Sequence, residues 1–122
     1  MYRVSKVLYF EAAHFLNGYV GACQNLHGHS YKLEITIESE RLDSSGMVVD
    51  FKQIKEFTRQ LLERYDHSCL NELDEYKANS PTAENMAREI YEELKRHIYV
   101  GLHLVSVKVW ETRDSCAEYT EE

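Results

Sequence analysis

The chain has 122 residues, 43% of them hydrophobic and 29% charged, with a formal net charge of −7. That length suits one domain around a single core. The acidic balance argues against a nucleic-acid or anionic membrane surface, both of which call for basic residues. No apolar run is long enough to cross a bilayer, and Met1–Lys6 shows no apolar segment of a signal peptide. Three cysteines, an odd number, cannot form a complete disulfide framework within one chain. The expectation is one domain over residues 1–122, in the reducing cytoplasm.

Residues 3–14 read as a strand, with Leu8, Phe10, Ala12 and His14 on one face at period two. Residues 27–38 alternate more cleanly. Tyr31, Leu33, Ile35 and Ile37 share one face, and Lys32, Glu34, Thr36 and Glu38 the other. His27 and His29 have the parity of the apolar set, so a strand that reaches back to them puts them on the inner face. Asp43–Gly46 is a turn signal. A helix follows from Asp50, which can cap it with Gln53 as the return partner; Phe51, Ile54, Phe57, Leu61, Leu62 and Tyr65 keep helical spacing.

Residues 68–80 read as a polar loop. A second helix covers roughly 83–98, capped by Thr82 or Ser80, with Met86, Ala87, Ile90, Leu94 and Ile98 inward. Residues 103–111 predict a third strand with Val105, Val107, Val109 and Glu111 on one parity, and 116–120 a short fourth. The order β-β-α-α-β-β implies an α+β fold, with two helices on one face of an antiparallel four-stranded sheet.

The stretch Cys23–His29, "CQNLHGH", carries the chemistry. Two histidines at i and i+2 on a strand face the same way and can share a metal; zinc suits imidazole and a tetrahedral set. His14, at the end of the first strand's apolar face, is the candidate third ligand. Core histidines satisfied by hydrogen bonds are the plainer alternative. Cys23 allows two outcomes. As fourth ligand it closes a structural cage; as a free thiolate beside an open metal it can move a proton. Asp66-His67 is either a solvated pair at a helix end or an oriented proton relay. Glu111, if inward, needs a pair of donors such as the guanidine-like edge of a heterocycle. His97 and His103 fall outside the pattern.

"FEAAH" ending at His14, "CQNLHGH", "GMVVDF" from Gly46, "DHSCLN" from Asp66, "SPTAEN" from Ser80 and "VKVWET" through Glu111 follow one another along nearly the whole chain. Together they resemble the 6-pyruvoyl-tetrahydropterin synthase family, and within it the bacterial 6-carboxytetrahydropterin-forming branch. The resemblance implies His14, His27 and His29 as Zn2+ ligands, Cys23 as proton acceptor, and Asp66 and His67 as relay partners reaching over from a neighbouring subunit. It implies Glu111 as the carboxylate that holds the pterin ring and also serves the relay, with Thr82 and Glu84 near the ring.

The implied fold is the tunnelling fold, in which trimers close a barrel and two trimers make a hexamer. The implied reaction is the zinc-dependent conversion of 7,8-dihydroneopterin triphosphate to 6-carboxytetrahydropterin, acetaldehyde and triphosphate, an early step toward queuosine. Two competing readings are triphosphate elimination to a 6-pyruvoyl product and a zinc-stapled binding module without catalysis. A cysteine stands where one branch, linked to folate precursors, has glutamate. Tyr65 stands where many relatives have leucine. Lys52 and Arg113 are candidate triphosphate contacts.

Overall fold

The computed structural model describes residues 1–16 and 25–121. Its elements are β1 (Tyr2–His14), β2 (His27–Ser39), α1 (Phe51–Tyr65), β3 (Ser68–Cys69), α2 (Ala83–Lys95), β4 (His103–Thr112) and β5 (Ser115–Thr120). Two short 3-10 turns, Leu70–Glu72 and Asp74–Tyr76, join β3 to α2. The sheet runs β3-β1-β2-β4-β5. β1 pairs antiparallel with β2, β2 with β4 and β4 with β5; β3 lies parallel to β1 at the edge. β3 falls in the stretch read from sequence as a polar loop. Two residues are too few to show a period, and the buried Leu70 and Tyr76 that anchor the segment are isolated in the sequence.

The alternation in β1 and β2 decides which face is covered. Leu8, Phe10, Ala12, Tyr31, Leu33, Ile35 and Ile37 are all buried, against Ile54 and Leu61 of α1 and Met86, Ala87, Ile90 and Leu94 of α2 in one core. The opposite face is held by cross-strand polar pairs, among them Arg3 with Glu38 at 2.6 Å and Ser5 with Thr36 at 2.8 Å. Asp50 caps α1 by accepting from the Lys52 N–H. The expected reciprocal bond from Gln53 is replaced by one in which Gln53 accepts from the Tyr99 hydroxyl. Thr82, not Ser80, caps α2 by accepting from the Asn85 N–H. α2 stops at Lys95, three residues before the sequence-predicted end. Gly46 and Gly101 take positive φ in the turns that deliver the chain to α1 and β4.

Two bulges interrupt β4. Thr36 pairs with Ser106 but Ile37 pairs with Leu104, so Val105 is the extra residue. Leu104 therefore faces the core, where simple alternation expects Val105. On the other side, Trp110 pairs with Cys116 and Thr112 with Ser115, which leaves Glu111 without a partner on β5. A bulge tilts its residue out of the ladder and re-aims the side chain.

Tyr65 also finds its reason here. Its ring is fully buried edge-on to Phe10, and its hydroxyl meets that of Tyr76 at 2.7 Å. Leucine would leave the Tyr76 hydroxyl with less to bond.

Leu33 sits at the centre of the sheet between Leu8 of β1 and Val109 of β4, fully buried. Leu33→Ala is expected to cost about 2–5 kcal/mol. Urea unfolding of the metal-free protein, followed by circular dichroism, measures it.

Candidate metal centre

The antiparallel register places His14 directly opposite His27, and Ala12 opposite His29. The three imidazoles share one face and converge at the end of the β1–β2 hairpin where residues 15–26 connect the two strands. Ring centroids are 4.7 Å apart for His14–His27 and His27–His29, and 5.1 Å for His14–His29. Glu111, on the same face as Val107 and Val109 and unpaired on β5, completes the group: its Oε1 lies 3.1 Å from Nε2 of both His14 and His29. One ligand atom from each of His14, His27, His29 and Glu111 lies within 4.8 Å of all the others.

Backbone carbonyls set the tautomers. His14 donates from Nδ1 to the Pro81 carbonyl at 2.8 Å, and His27 from Nδ1 to the Asn25 carbonyl at 2.7 Å. A neutral imidazole with its proton on Nδ1 presents a bare lone pair at Nε2. Nε2 of His14 and of His29 are buried without a hydrogen bond among the described residues. At His14 that lone pair faces a carboxylate oxygen at 3.1 Å, an arrangement of two acceptors that a shared cation resolves. A tetrahedral zinc with ordinary bond lengths sets neighbouring ligand atoms about 3.3 Å apart, close to the 3.1 Å from Glu111 Oε1 to the His14 and His29 nitrogens. The donor set therefore fits a divalent metal with nitrogen and oxygen ligands. Burial also holds the His29 pKa below its ordinary value of 6.5, with Glu111 opposing the shift and His14 and His27 adding to it. His29 is thus neutral and ready to ligate near pH 7.

The other sequence-predicted residues divide. Asp66 and His67 form a pair, Nδ1 to Oδ2 at 3.1 Å, hung on the edge of β1. The Glu11 N–H donates to Asp66 Oδ1 at 2.8 Å, which holds the Asp66 carboxyl below its usual range, and the His67 N–H returns a bond to the Glu11 carbonyl. His67 takes a positive φ of 58°, uncommon for a residue with a side chain, and this two-way anchorage fixes it there. Its ring is largely exposed and is not in the four-residue cluster. Among the described residues, His67 lines an open cleft with His29, Ser68 and Cys69. Thr82 acts through its cap on α2, and Glu84, exposed in the first turn, shares a small cavity with Glu111. Cys23 lies outside the described residues. Lys52 lines a groove with Tyr9, Lys55, Arg59 and Asp66, while Arg113 sits in the exposed β4–β5 turn.

Sequence reasoning missed the supports of the site. The carbonyls of Pro81 and Asn25 carry no side-chain signature. Tyr31 was legible only as an apolar-face residue, yet its hydroxyl lies 3.3 Å from His14 Nδ1. Glu11, which anchors the Asp66-His67 pair through its backbone, is an unremarked polar position.

A half-buried sheet end with three imidazoles and a carboxylate around one point defines the class: a candidate metal centre on an α+β scaffold. Similarity to known proteins narrows it. The family model described as 6-pyruvoyl tetrahydropterin synthase matches residues 3–122. A 6-carboxy-5,6,7,8-tetrahydropterin synthase of Haemophilus influenzae is 36% identical over 143 residues, covering 99% of this chain and 100% of that one. The enzyme of the same name from Synechocystis is 39% identical over 124 residues, covering 98% and 93%. Among solved structures, the 6-pyruvoyl tetrahydropterin synthase of Caenorhabditis elegans superposes with a TM-score of 0.89 at 27% identity, covering 99% of this chain and 96% of that one. The chain belongs to the 6-pyruvoyl tetrahydropterin synthase family. Its sheet is that of the tunnelling fold, with β3 as a fifth strand beyond the four expected from sequence.

His29, with its lowered pKa, gives the metal-free protein a definite pH response. The unfolded chain takes up the His29 proton near pH 6.5 and the folded chain only at lower pH. Stability from this group is present above pH 6.5 and is lost as pH falls through the folded pKa. Denaturant midpoints measured with chelator present are expected to fall between about pH 7 and pH 5, and His29→Gln is expected to flatten that slope.

Proposed function

We propose that this chain is a zinc-dependent pterin synthase that converts 7,8-dihydroneopterin triphosphate and water to 6-carboxytetrahydropterin, acetaldehyde and triphosphate, an early step toward queuosine. The observation that carries the reading is the convergence of bare imidazole nitrogens with Glu111. It is supported by relatives of 36% and 39% identity that bear the 6-carboxytetrahydropterin synthase name. No outside reductant is required, because the ring gains the hydrogens that the side chain loses.

His14, His27 and His29 would hold the metal, which when bound supplies Lewis-acid polarisation of the substrate's side-chain oxygens. The chain's residues do the rest. Glu111 accepts from the N–H donors on the guanidine-like edge of the ring and so fixes where the side chain lies. Asp66 holds His67 at Nδ1, which leaves Nε2 free to take or return a proton. Cys23 is assigned the partner role in that relay, as a thiolate favoured by the nearby cation. The Asp66-His67 pair is exposed at the edge of β1, which suits a site completed by a neighbouring copy of the chain. We assign it to the boundary between subunits of a hexamer built from two trimers. Thr82 and Glu84 at the start of α2 border the ring's place.

The C. elegans neighbour, named for the 6-pyruvoyl reaction, motivates a second reading in which triphosphate leaves but the three-carbon side chain stays. Mass spectrometry of the product, with an alcohol-dehydrogenase assay for acetaldehyde, separates the two. The expected product is the 6-carboxy compound with one acetaldehyde per turnover; a 6-pyruvoyl product without acetaldehyde selects the second reading. Cys23→Ala is expected to retain its metal by elemental analysis and to lose turnover by about 10²-fold or more. Loss of the metal from that variant would instead make the cysteine a ligand and the site a closed one.

A further inference from the structure

Glu111 stands between two compartments. On one side its Oε1 is 3.1 Å from Nε2 of His14 and of His29. On the other, Glu111 lines a cavity of about 220 Å³ with Ala83, Glu84, Ser115, Cys116 and Ala117. The unpaired position of Glu111 on β4 leaves this side chain free of the β5 ladder. A ring-holding role explains the cavity side, but not why the carboxylate rests on the imidazoles.

We propose that Glu111 is an exchangeable metal ligand: with no heterocycle in the cavity its Oε1 is the fourth ligand beside His14, His27 and His29, and a ring edge bearing N–H donors draws it away and opens that position. The second half rests on the proposed pterin function; the first does not.

The physical case has three parts. The spacing of Oε1 to two imidazole nitrogens matches edges of a tetrahedral nitrogen and oxygen set. Among the described residues the buried nitrogens lack hydrogen bonds, so the carboxylate is not held there as a hydrogen-bond acceptor of ordinary geometry. Glu84 shares the cavity, so a Glu111 turned into it without a ligand meets a second carboxylate and no cation. Donors on a ring edge reverse that balance, since they offer a carboxylate paired hydrogen bonds. The device keeps water and thiols off the metal until substrate arrives, and couples ring recognition to the opening of the reactive position.

Cobalt(II) substitution tests it without turnover. The metal-free protein is loaded with one equivalent of cobalt(II), its visible spectrum is recorded, and affinity is measured by chelator competition. Glu111→Gln and Glu111→Asp are treated alike. Both variants are expected to bind metal at least about tenfold more weakly and to show an altered spectrum; Asp keeps the charge but shortens the reach. 7,8-Dihydropterin, which has no side chain to reach the metal, is then added. It is expected to shift the wild-type spectrum toward that of Glu111→Gln and to leave the variant's unchanged.

Unchanged affinity and spectrum in Glu111→Gln overturn the ligation, as does wild-type behaviour in Glu111→Asp, which would mean that charge alone matters. A wild-type spectrum indifferent to bound dihydropterin overturns the release. If Glu111→Gln does not fold, Glu111→Asp carries the same comparison. Failure of the pterin reading looks different: the ligation results stand, while dihydropterin does not bind and dihydroneopterin triphosphate is not consumed.

Discussion

The site is organised by one electrostatic problem. Imidazole lone pairs and a carboxylate oxygen have been brought together at the end of a sheet, where His14 is fully buried and Glu111 largely so. Groups that only accept repel one another unless something positive lies among them, and burial removes the water that would otherwise screen them. Backbone carbonyls on Nδ1 of His14 and His27 close off one way out, since those protons are committed elsewhere. A metal ion is the economical answer, and the surrounding fold reads as the apparatus that presents this set of ligands.

That apparatus is mostly ordinary packing. The apolar faces of β1 and β2 lie against α1 and α2, and the same alternation that buries Leu8, Phe10, Leu33 and Ile35 carries through to His14, His27 and His29. The three histidines are therefore a continuation of the core at the connected end of the β1–β2 hairpin. α2 contributes from the other side: the turn before its Thr82 cap supplies the Pro81 carbonyl to His14, and its first turn supplies Glu84 to the cavity beside Glu111. The start of one helix thus borders both the histidine cluster and the cavity beside Glu111.

Asp66 and His67 follow a different logic. They close α1, and they hang from the backbone of Glu11 beside β3, outside the covered face. A positive φ at His67 is a local cost that the two bonds to Glu11 offset. Among the described residues, the oriented imidazole lines an open cleft with His29 and Cys69. In the hexamer proposed above, a second copy would bring its own histidine cluster to that edge, and the same contact would cover exposed strand edges.

Much of this was legible in the amino-acid order. Period-two alternation placed His14, His27 and His29 on one inner face, helical spacing placed Ile54, Leu61, Met86 and Ile90, and parity turned Glu111 inward beside Val107 and Val109, because each of these depends only on the repeat of a regular element. The motifs in their order pointed to the family for the same chain. What the order of residues could not supply were the contacts between elements far apart in it. The bulge at Val105 exchanged it for Leu104, the short β3 appeared where no period could show it, Tyr65 found the Tyr76 hydroxyl, and the Pro81 carbonyl reached His14 from 67 positions away. Local periodicity determined which residues face inward. Only the tertiary structure decided what they face, because register, bulges and carbonyl partners arise from pairing between distant segments and leave no mark on either segment alone.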